Sequence, residues 1–325
     1  MPKLTVAIPT YNRAAYLAEC LESIAAQTYR DFRLVVLDNA STEPYAPVIE
    51  RFAPLGIEYI RNAENIGAVR NIDKAREVGS DSAYHLIFHD DDLMHPEMLG
   101  RQIAALDQRP DLAWIATECA PFDSNSSQLK SWDESNGIVE IYATHDALVR
   151  RLLQNVPLNF GSVMYRTSAS AAIDFKLTEF EIIADRVFLC DIAETSPVAL
   201  IREPMVHYRH HAAQDSHNPV FREIHALALM RYYQSRLPRP LSADDRTLTE
   251  RHSTNYLLHA RSTIAPENRL RLRDLTDEAK AEGLFRWSAI DGQGVAALAG
   301  LAGAGAAYGK MRPALGTIKR LLRGQ

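Results

Sequence analysis

The sequence predicts an α/β protein, with a mostly parallel central sheet flanked by helices and a helical C-terminal extension. Three observations carry that expectation. Through residues 4–107, short β-branched runs alternate with stretches of helical periodicity, the pattern of successive βαβ units. Each strand-like run ends in polar or acidic residues, at Pro9-Thr10, at Asp38 and at His89-Asp90-Asp91-Asp92. Beyond residue 217 only helical periodicity remains, punctuated by Pro238, Pro240 and Pro266.

Leu4–Ile8 is the first apolar run and stops at Pro9. Ala14–Gln27 carries Leu17, Cys20, Leu21 and Ile24 at helical spacing, which gives one apolar face to pack on a sheet. Leu34–Leu37 is the second strand, and Asp38 ends it. Ser41 and Thr42 are candidate caps for a helix with Pro44 in its first turn. Ile57–Ile60 reads as a strand, Gly67–Val78 as a helix, Ala83–Phe88 as a strand and Pro96–Asp107 as a helix. Right-handed crossovers bring Pro9, Asp38 and Asp90 to one edge of the sheet, where open α/β sheets bind ligands. That half is Rossmann-like. However, no Gly-x-Gly-x-x-Gly follows the first strand and no loop ends in Gly-Lys-Ser/Thr. A nicotinamide dehydrogenase and an ordinary NTPase are therefore set aside.

Composition narrows the classes further. The 325 residues are 46% hydrophobic and 24% charged, as in a globular protein of two domains or one large domain with an extension. A net charge of −5 argues against bulk nucleic-acid binding. Cys20, Cys119 and Cys190 are far apart and form no metal-ligand spacing. An odd, unpaired set suits a reducing compartment, so a cytoplasmic protein is expected. The N-terminus runs directly into a strand without signal-peptide character, and no apolar run approaches the ~20 residues needed to span a bilayer.

The strongest chemical signal is Asp90-Asp91-Asp92. Three adjacent acids at a strand's carboxyl end repel one another, and a hard divalent cation, Mn²⁺ or Mg²⁺, would relieve the repulsion. The alternative is a solvated acidic turn in which Asp92 caps the helix that follows.

Four segments occur in order: Val6-Ala7-Ile8-Pro9-Thr10-Tyr11-Asn12-Arg13, Val35-Val36-Leu37-Asp38-Asn39-Ala40-Ser41, Asn65-Ile66-Gly67-Ala68-Val69-Arg70-Asn71, and the acid triplet with Pro96 behind it. Together they resemble the inverting glycosyltransferases of family 2, which have the GT-A fold. The resemblance is strong over residues 1–110 and weak to residue 211. It implies a nucleotide-sugar-binding half at 1–110, an acceptor-binding half at 111–217 and a helical region at 218–325.

The same resemblance assigns residues. Pro9, Thr10, Tyr11 and Arg13 would lie along the nucleotide, and Asp38 would accept a hydrogen bond from a pyrimidine ring N–H. Asp38 can equally be a turn residue that opens the loop Asn39–Ser41. Asn65, Gly67 and Arg70 form the next piece of the nucleotide site. Glycine permits close backbone approach, and an Arg in the first turn of a helix suits a phosphate. A capped helix with a solvated Arg is the alternative. Asp90 would face the ribose, Asp91 would hold the metal and Asp92 would support the metal site. The commonest family pattern is Asp-x-Asp-Asp, and its first Asp falls here on His89, read as a strand-end residue.

Inversion at an anomeric carbon requires a base for the acceptor hydroxyl. In the family that base opens a helix in a Glu-Asp pair. Ile182-Ile183-Ala184-Asp185-Arg186-Val187-Phe188-Leu189 matches, with Ala184 in place of Glu and Asp185 as the catalytic candidate. Asp185 can instead be a helix cap, and Glu179, Glu181 and Asp191 are nearby competitors. Asn159–Met164 resembles the segment that leads to the acceptor, with Gly161 and Ser162 placed to line the donor sugar. Glu203–His211 resembles a strand ending in Tyr-Arg-x-His, which makes His210 or His211 a candidate metal or diphosphate contact. The four histidines between 207 and 217 lack zinc-site spacing and read as a polar loop.

The helical end offers roles in homo-oligomer formation and acceptor positioning. Val295–Ala307 is rich in small residues that allow tight helix packing. Lys310, Arg312, Lys319, Arg320 and Arg323, with Leu315, Ile318, Leu321 and Leu322, form a basic amphipathic end. Such an end either touches an anionic membrane surface or is a solvated helix. The expectation is a metal-dependent transferase that moves a sugar from a UDP- or dTDP-sugar to a hydroxyl of a glycan or lipid-linked acceptor. It would act in bacterial surface polysaccharide assembly, in the cytoplasm or at the inner face of the membrane. One rival is a sugar nucleotidyltransferase, which wants a Gly-rich loop with Arg and Lys that Pro9–Arg13 lacks. The other is a non-catalytic sugar-nucleotide or glycan-binding protein, to which Ala184 and His89 point.

Overall fold

The computed structural model describes residues 2–123, 137–154, 158–211, 223–263, 270 and 272–301. Two compact units divide the chain. One comprises Met1–His145 with Pro157–His211, the other Asp146–Val156 with Ala212–Gln325.

Among the described residues, the first unit is built on a nine-stranded sheet. Strands β1 (Leu4–Thr10), β2 (Phe32–Asp38), β3 (Glu58–Arg61) and β4 (Tyr84–Ile87) are parallel and lie in the order β3-β2-β1-β4. Their registers pair Thr10 with Asp38 and Asp38 with Arg61, so the carboxyl ends are level. Both faces are covered, which explains why β1, β2 and β4 are continuous apolar runs rather than alternating ones. The crossovers carry helices α1 (Ala14–Ala25), α2 (Ala46–Arg51) and α3 (Ala68–Val78). As its spacing predicts, α1 buries Leu17, Cys20, Leu21 and Ile24.

The rest of the sheet is mixed. β8 (Met164–Arg166) runs antiparallel to β4 and to β6 (Trp114–Asp123). The longest strand, β9 (Val198–His210), is parallel to β6 and antiparallel to β5 (Leu93–Met94) and β7 (Val139–Tyr142). Because β5 follows the acid triplet directly, its pairing with β9 brings residues near 210 back to residues near 91.

Two helix starts differ from the sequence expectation. Helix α2 begins at Ala46 after Tyr45, with no cap from Ser41 or Thr42. Those groups are spent elsewhere: the Ser41 hydroxyl accepts from Asn12 N at 2.9 Å, and Thr42 N donates to Asn12 Oδ1 at 2.7 Å. Asn12 adopts φ +50°, a left-handed conformation that Asn tolerates. Helix α4 (Met98–Gln108) begins after Glu97 rather than under an Asp92 cap. Gln27 anchors it instead, accepting from Leu99 N at 3.2 Å and donating to His95 O at 2.7 Å.

The described part of the second unit is helical, with α6 (Glu223–Ser235), α7 (Ala243–Thr263), α8 (Leu272–Ala281) and α9 (Gly292–Leu301). Asn255 on α7 joins its neighbours by donating to Ala289 O and accepting from Asp291 N. A Cβ on Gly294 would lie 2.2 Å from Asn255 Oδ1, so α9 has a glycine where it meets that side chain. Among the described residues no helix is long and apolar enough to cross a membrane. The basic stretch from Lys310 to Arg323 lies outside the described residues.

Gly79, which closes α3, has an ordinary φ of −81°, but a Cβ there would sit 2.6 Å from His85 Cβ on β4. Gly79→Ala should therefore destabilise through crowding, by about 1–3 kcal/mol. Urea titration should show a lower midpoint with an unchanged slope, and an unchanged midpoint would contradict the crowding.

Candidate functional site

The acid triplet follows β4 with each carboxylate differently engaged. Asp90 Oδ2 accepts from the Thr10 hydroxyl at 2.6 Å, and its Oδ1 lies 3.3 Å from Arg13 Nη1. The same Arg13 nitrogen reaches Asp91 Oδ2 at 3.1 Å, and His211 Nε2 lies 2.9 Å from that oxygen. Asp92 Oδ1 accepts from Arg209 N at 2.9 Å, while its Oδ2 is 3.5 Å from both Asn159 Nδ2 and His89 Nδ1. All three acids are buried. Repulsion among them is thus met in part by the protein's own cations, Arg13 above all.

Proton affinities follow this geometry. Burial and the neighbouring Asp91 charge push the Asp90 carboxyl up to about 7, against the pull of Arg13 and Thr10. Burial also works to raise Asp91, but His89, Arg13 and His211 hold it below the ordinary carboxylate value. Asp92 is raised, chiefly by burial. For His89 burial favours the neutral ring, yet the bond to Asp92 and the charges of the acids prevail and push it up to about 9.

His89, Asp91 and Asp92 each present one ligand atom, all within 4.8 Å of one another. Two carboxylates and an imidazole suit a divalent first-row ion, and ligation by His89 would release its proton. His89 is therefore part of the acidic cluster and not merely the end of a strand. A Cβ on Gly161 would lie 3.3 Å from the His89 ring, so the turn Phe160–Ser162 passes close against the imidazole.

The end of β9 holds this turn in place. Buried Arg209 donates to Asp91 O at 2.7 Å and to Glu19 Oε2 at 2.6 Å, between the rings of Tyr16 and Phe122. Strand alternation separates the two candidate histidines. His211 joins Arg209 at the cluster, whereas His210 is exposed and meets Tyr208. The sequence motif showed the strand but not Arg209's part in it.

A second polar group lies at the ends of β2 and β3. Asp38 is wholly buried, its Oδ1 accepting from Ser41 N at 2.9 Å, so its turn role is real. Oδ2 accepts from Tyr59 Oη at 2.6 Å and from the Arg61 guanidinium. Burial alone would raise the carboxyl, but these bonds outweigh it and hold it low. Asn39, Asn62, Asn65 and Asn71 form a chain: Asn39 donates to Asn65 at 2.8 Å, and Asn62 donates to Asn39 and Asn71 at 3.0 Å. Asn65 Oδ1 then takes Gly67 N at 2.8 Å, which sets the start of α3. Gly67 has φ +87°, a conformation that favours glycine. Arg70 is exposed in the first turn of α3 and its side chain makes no hydrogen bond among the described residues, and Tyr11 is 41% exposed at the end of β1.

Asp185 is the second residue of α5 (Ala184–Ile192), whose cap is Ile183, so Asp185 is not the N-cap. It accepts from Arg186 N at 2.7 Å. Burial raises its carboxyl, partly offset by Arg186 and by His89, whose field reaches it. Of its competitors, Asp191 is buried against Lys176 at 2.6 Å, and Glu179 and Glu181 are exposed.

A carboxyl raised on folding costs stability as pH rises from its unfolded to its folded pKa, because only the unfolded chain releases the proton there. For metal-free protein, stability should fall between pH 4 and about 7 on account of Asp90. Asp90→Asn should flatten that part of the profile in urea titrations in EDTA. A variant profile parallel to the native one would place the titrating group elsewhere.

Comparison with known proteins identifies the family and the fold. Residues 5–172, just over half the chain, match the profile described as Glycosyl transferase family 2. An uncharacterized glycosyltransferase of Haemophilus influenzae is 30% identical over 115 residues, which is 34% of this chain and 37% of that relative. The match therefore spans well under half of that relative's length. S. aureus TarS 1-349, solved in complex with UDP, superposes with TM-score 0.57 at 16% identity over 94% of this chain and 89% of that one. Mannosyltransferase PcManGT from Pyrobaculum calidifontis, solved with GDP-Man and Mn²⁺, superposes with TM-score 0.52 at 19% identity over 92% and 87%. At such identities the structures show the fold, the GT-A arrangement expected from the sequence. With more than half of its length matched, this chain belongs to glycosyl transferase family 2.

Proposed function

We propose that the protein is an inverting glycosyltransferase that uses a nucleoside-diphosphate sugar, with UDP- or dTDP-sugars favoured, and a divalent cation, Mn²⁺ or Mg²⁺. The observation that carries this reading is the His89, Asp91 and Asp92 cluster at the sheet edge where Thr10, Asp38 and Arg61 also end. Solved relatives of the fold support it, since TarS is described with UDP-GlcNAc and PcManGT with GDP-Man and Mn²⁺. A cation held by His89, Asp91 and Asp92 would neutralise charge developing on the leaving diphosphate.

The other parts belong to the chain. Asp90, fixed by Thr10, faces the ribose, and Arg13 supplies positive charge beside it. Arg70, exposed at the start of α3, is placed for the diphosphate. Asp185 takes the proton of the acceptor hydroxyl, and burial raises its carboxyl in the direction that suits a base. The acceptor oxygen bonds to the anomeric carbon as the bond to the diphosphate oxygen breaks, with inversion. The acceptor is a glycan or lipid-linked hydroxyl, met at the cytoplasmic face in surface polysaccharide assembly. Donor hydrolysis that depends on Mn²⁺ separates this reading from a non-catalytic binder, for which Ala184 in place of the family's Glu and His89 in place of its first Asp are the sequence arguments.

Asp91→Ala should abolish transfer and the Mn²⁺-dependent part of nucleotide binding, and near-native turnover would remove Asp91 from the metal site. Asp185→Asn should lower turnover by roughly 10²–10⁴, the usual scale of acid–base help. Nucleotide affinity, measured by titration calorimetry, should stay close to native. An unchanged rate would shift the base to Glu181 or Glu179.

A further inference from the structure

Tyr45 immediately precedes α2 and lies beyond the segment Val35–Ser41, yet its hydroxyl meets the groups that engage the acid triplet. Its ring is buried in the hydrophobic core of the first unit. Its Oη lies 2.9 Å from Thr10 Oγ1 and accepts from Arg13 N at 3.0 Å, and the Ser41 side chain bonds to it as well. Thr10 and Arg13 are the residues that engage Asp90, the first at Oδ2 and the second at Oδ1. The same loop takes Asn12 N on Ser41 Oγ and Ala14 N on Glu43 Oε2, so it grips the turn from Thr10 to Ala14 along its length. Tyr45 is the member of the loop whose bonds lead on to an acid. Proton bookkeeping gives these bonds a direction. An amide N–H only donates and a carboxylate only accepts. Thr10 gives its single proton to Asp90, so the proton between Thr10 and Tyr45 comes from Tyr45. Otherwise two oxygen lone pairs would face each other at 2.9 Å. The chain therefore runs from Arg13 N–H to Tyr45, from Tyr45 O–H to Thr10 and from Thr10 O–H to Asp90, each bond polarising the next.

We infer that Tyr45 is a positioning residue: its hydroxyl, fixed by Arg13 N and Ser41, holds the Thr10 hydroxyl on Asp90 Oδ2 and so leaves Oδ1, beside Arg13, for the donor. This rests on the nucleotide-sugar reading above only for the identity of the ligand, since the chain of bonds is present without one. Thr10, Tyr45 and Asp90 are all buried, so water is a poor substitute for any link. A carboxylate with one oxygen pinned in this way cannot turn freely, and a ligand meets it in one orientation.

Tyr45→Phe removes the hydroxyl and keeps the ring, so the core stays filled. Two measurements on native protein, Tyr45→Phe, Thr10→Val and the double variant make the test. One is the NMR shift of the Asp90 carboxyl carbon at one mildly alkaline pH without ligand, assigned by its loss in Asp90→Asn. The other is calorimetric titration of UDP, dTDP and GDP with Mn²⁺ present. Tyr45→Phe should move the Asp90 resonance and weaken the preferred nucleotide by about three- to tenfold, the scale of one hydrogen bond. In the Thr10→Val background the same substitution should leave the resonance in place and add little to the loss, because the link to Asp90 is already cut. An unmoved resonance in Tyr45→Phe overturns the inference, as does an equal loss of affinity with and without the Thr10 hydroxyl. A lower urea midpoint with unchanged affinity also overturns it, since Tyr45 would then hold only the fold. If native protein binds none of the three nucleotides while the resonance moves as expected, the chain to Asp90 stands and the nucleotide-sugar reading falls.

Discussion

The site depends on the bond between Arg209 and the acidic turn. A turn bearing three carboxylates has little reason to stay compact: each acid repels the next, and each is drawn towards water. Arg209 counters this at two levels. Its backbone N–H fixes the Asp92 carboxylate, and its side chain fixes the Asp91 carbonyl while Glu19 balances its charge. A guanidinium buried between Tyr16 and Phe122 cannot easily exchange its partners for water. The acids are thereby held by backbone geometry, so their side chains can change partners without the turn unravelling.

The charge balance shows which partners can change. Arg13 spans Asp90 and Asp91 from a side chain that is only half-buried, and His211 meets the same Asp91 oxygen. A cation bound at Asp91 would compete with both. His89 is held protonated by acids that surround it, so ligation there must release a proton. Metal affinity of the protein alone should therefore be modest and increase with pH, and a diphosphate would help by offering Arg13 another anion.

Much of the sheet edge was legible in the sequence because β1, β2 and β4 are buried on both faces and end in chemically distinctive residues. Apolar runs and acids are local signals. The features that escaped are those made by distant partners. Gln27 anchoring α4, Asn12 taking Ser41 and Thr42, and Arg209 reaching back to residue 91 each join segments that periodicity treats separately. The asparagine chain from Asn39 to Asn71 left a trace, since Asn recurs at 39, 62, 65 and 71. Yet nothing in a single sequence says that these side chains bond to one another rather than to water.

Asp38 shows how a local signal leaves a side chain's distant partners open. Its position at a strand end and its turn role both follow from sequence, and both are present. Its exposure does not follow, because that is decided by β3, whose Tyr59 and Arg61 come from a strand with no motif of its own. The parallel register that puts Arg61 opposite Asp38 converts a carboxylate at the sheet edge into a carboxylate–guanidinium pair. The pair presents donors to its surroundings where the acid alone would have presented acceptors. The identity of the residue in register on the neighbouring strand therefore carries as much chemical information as the acid itself.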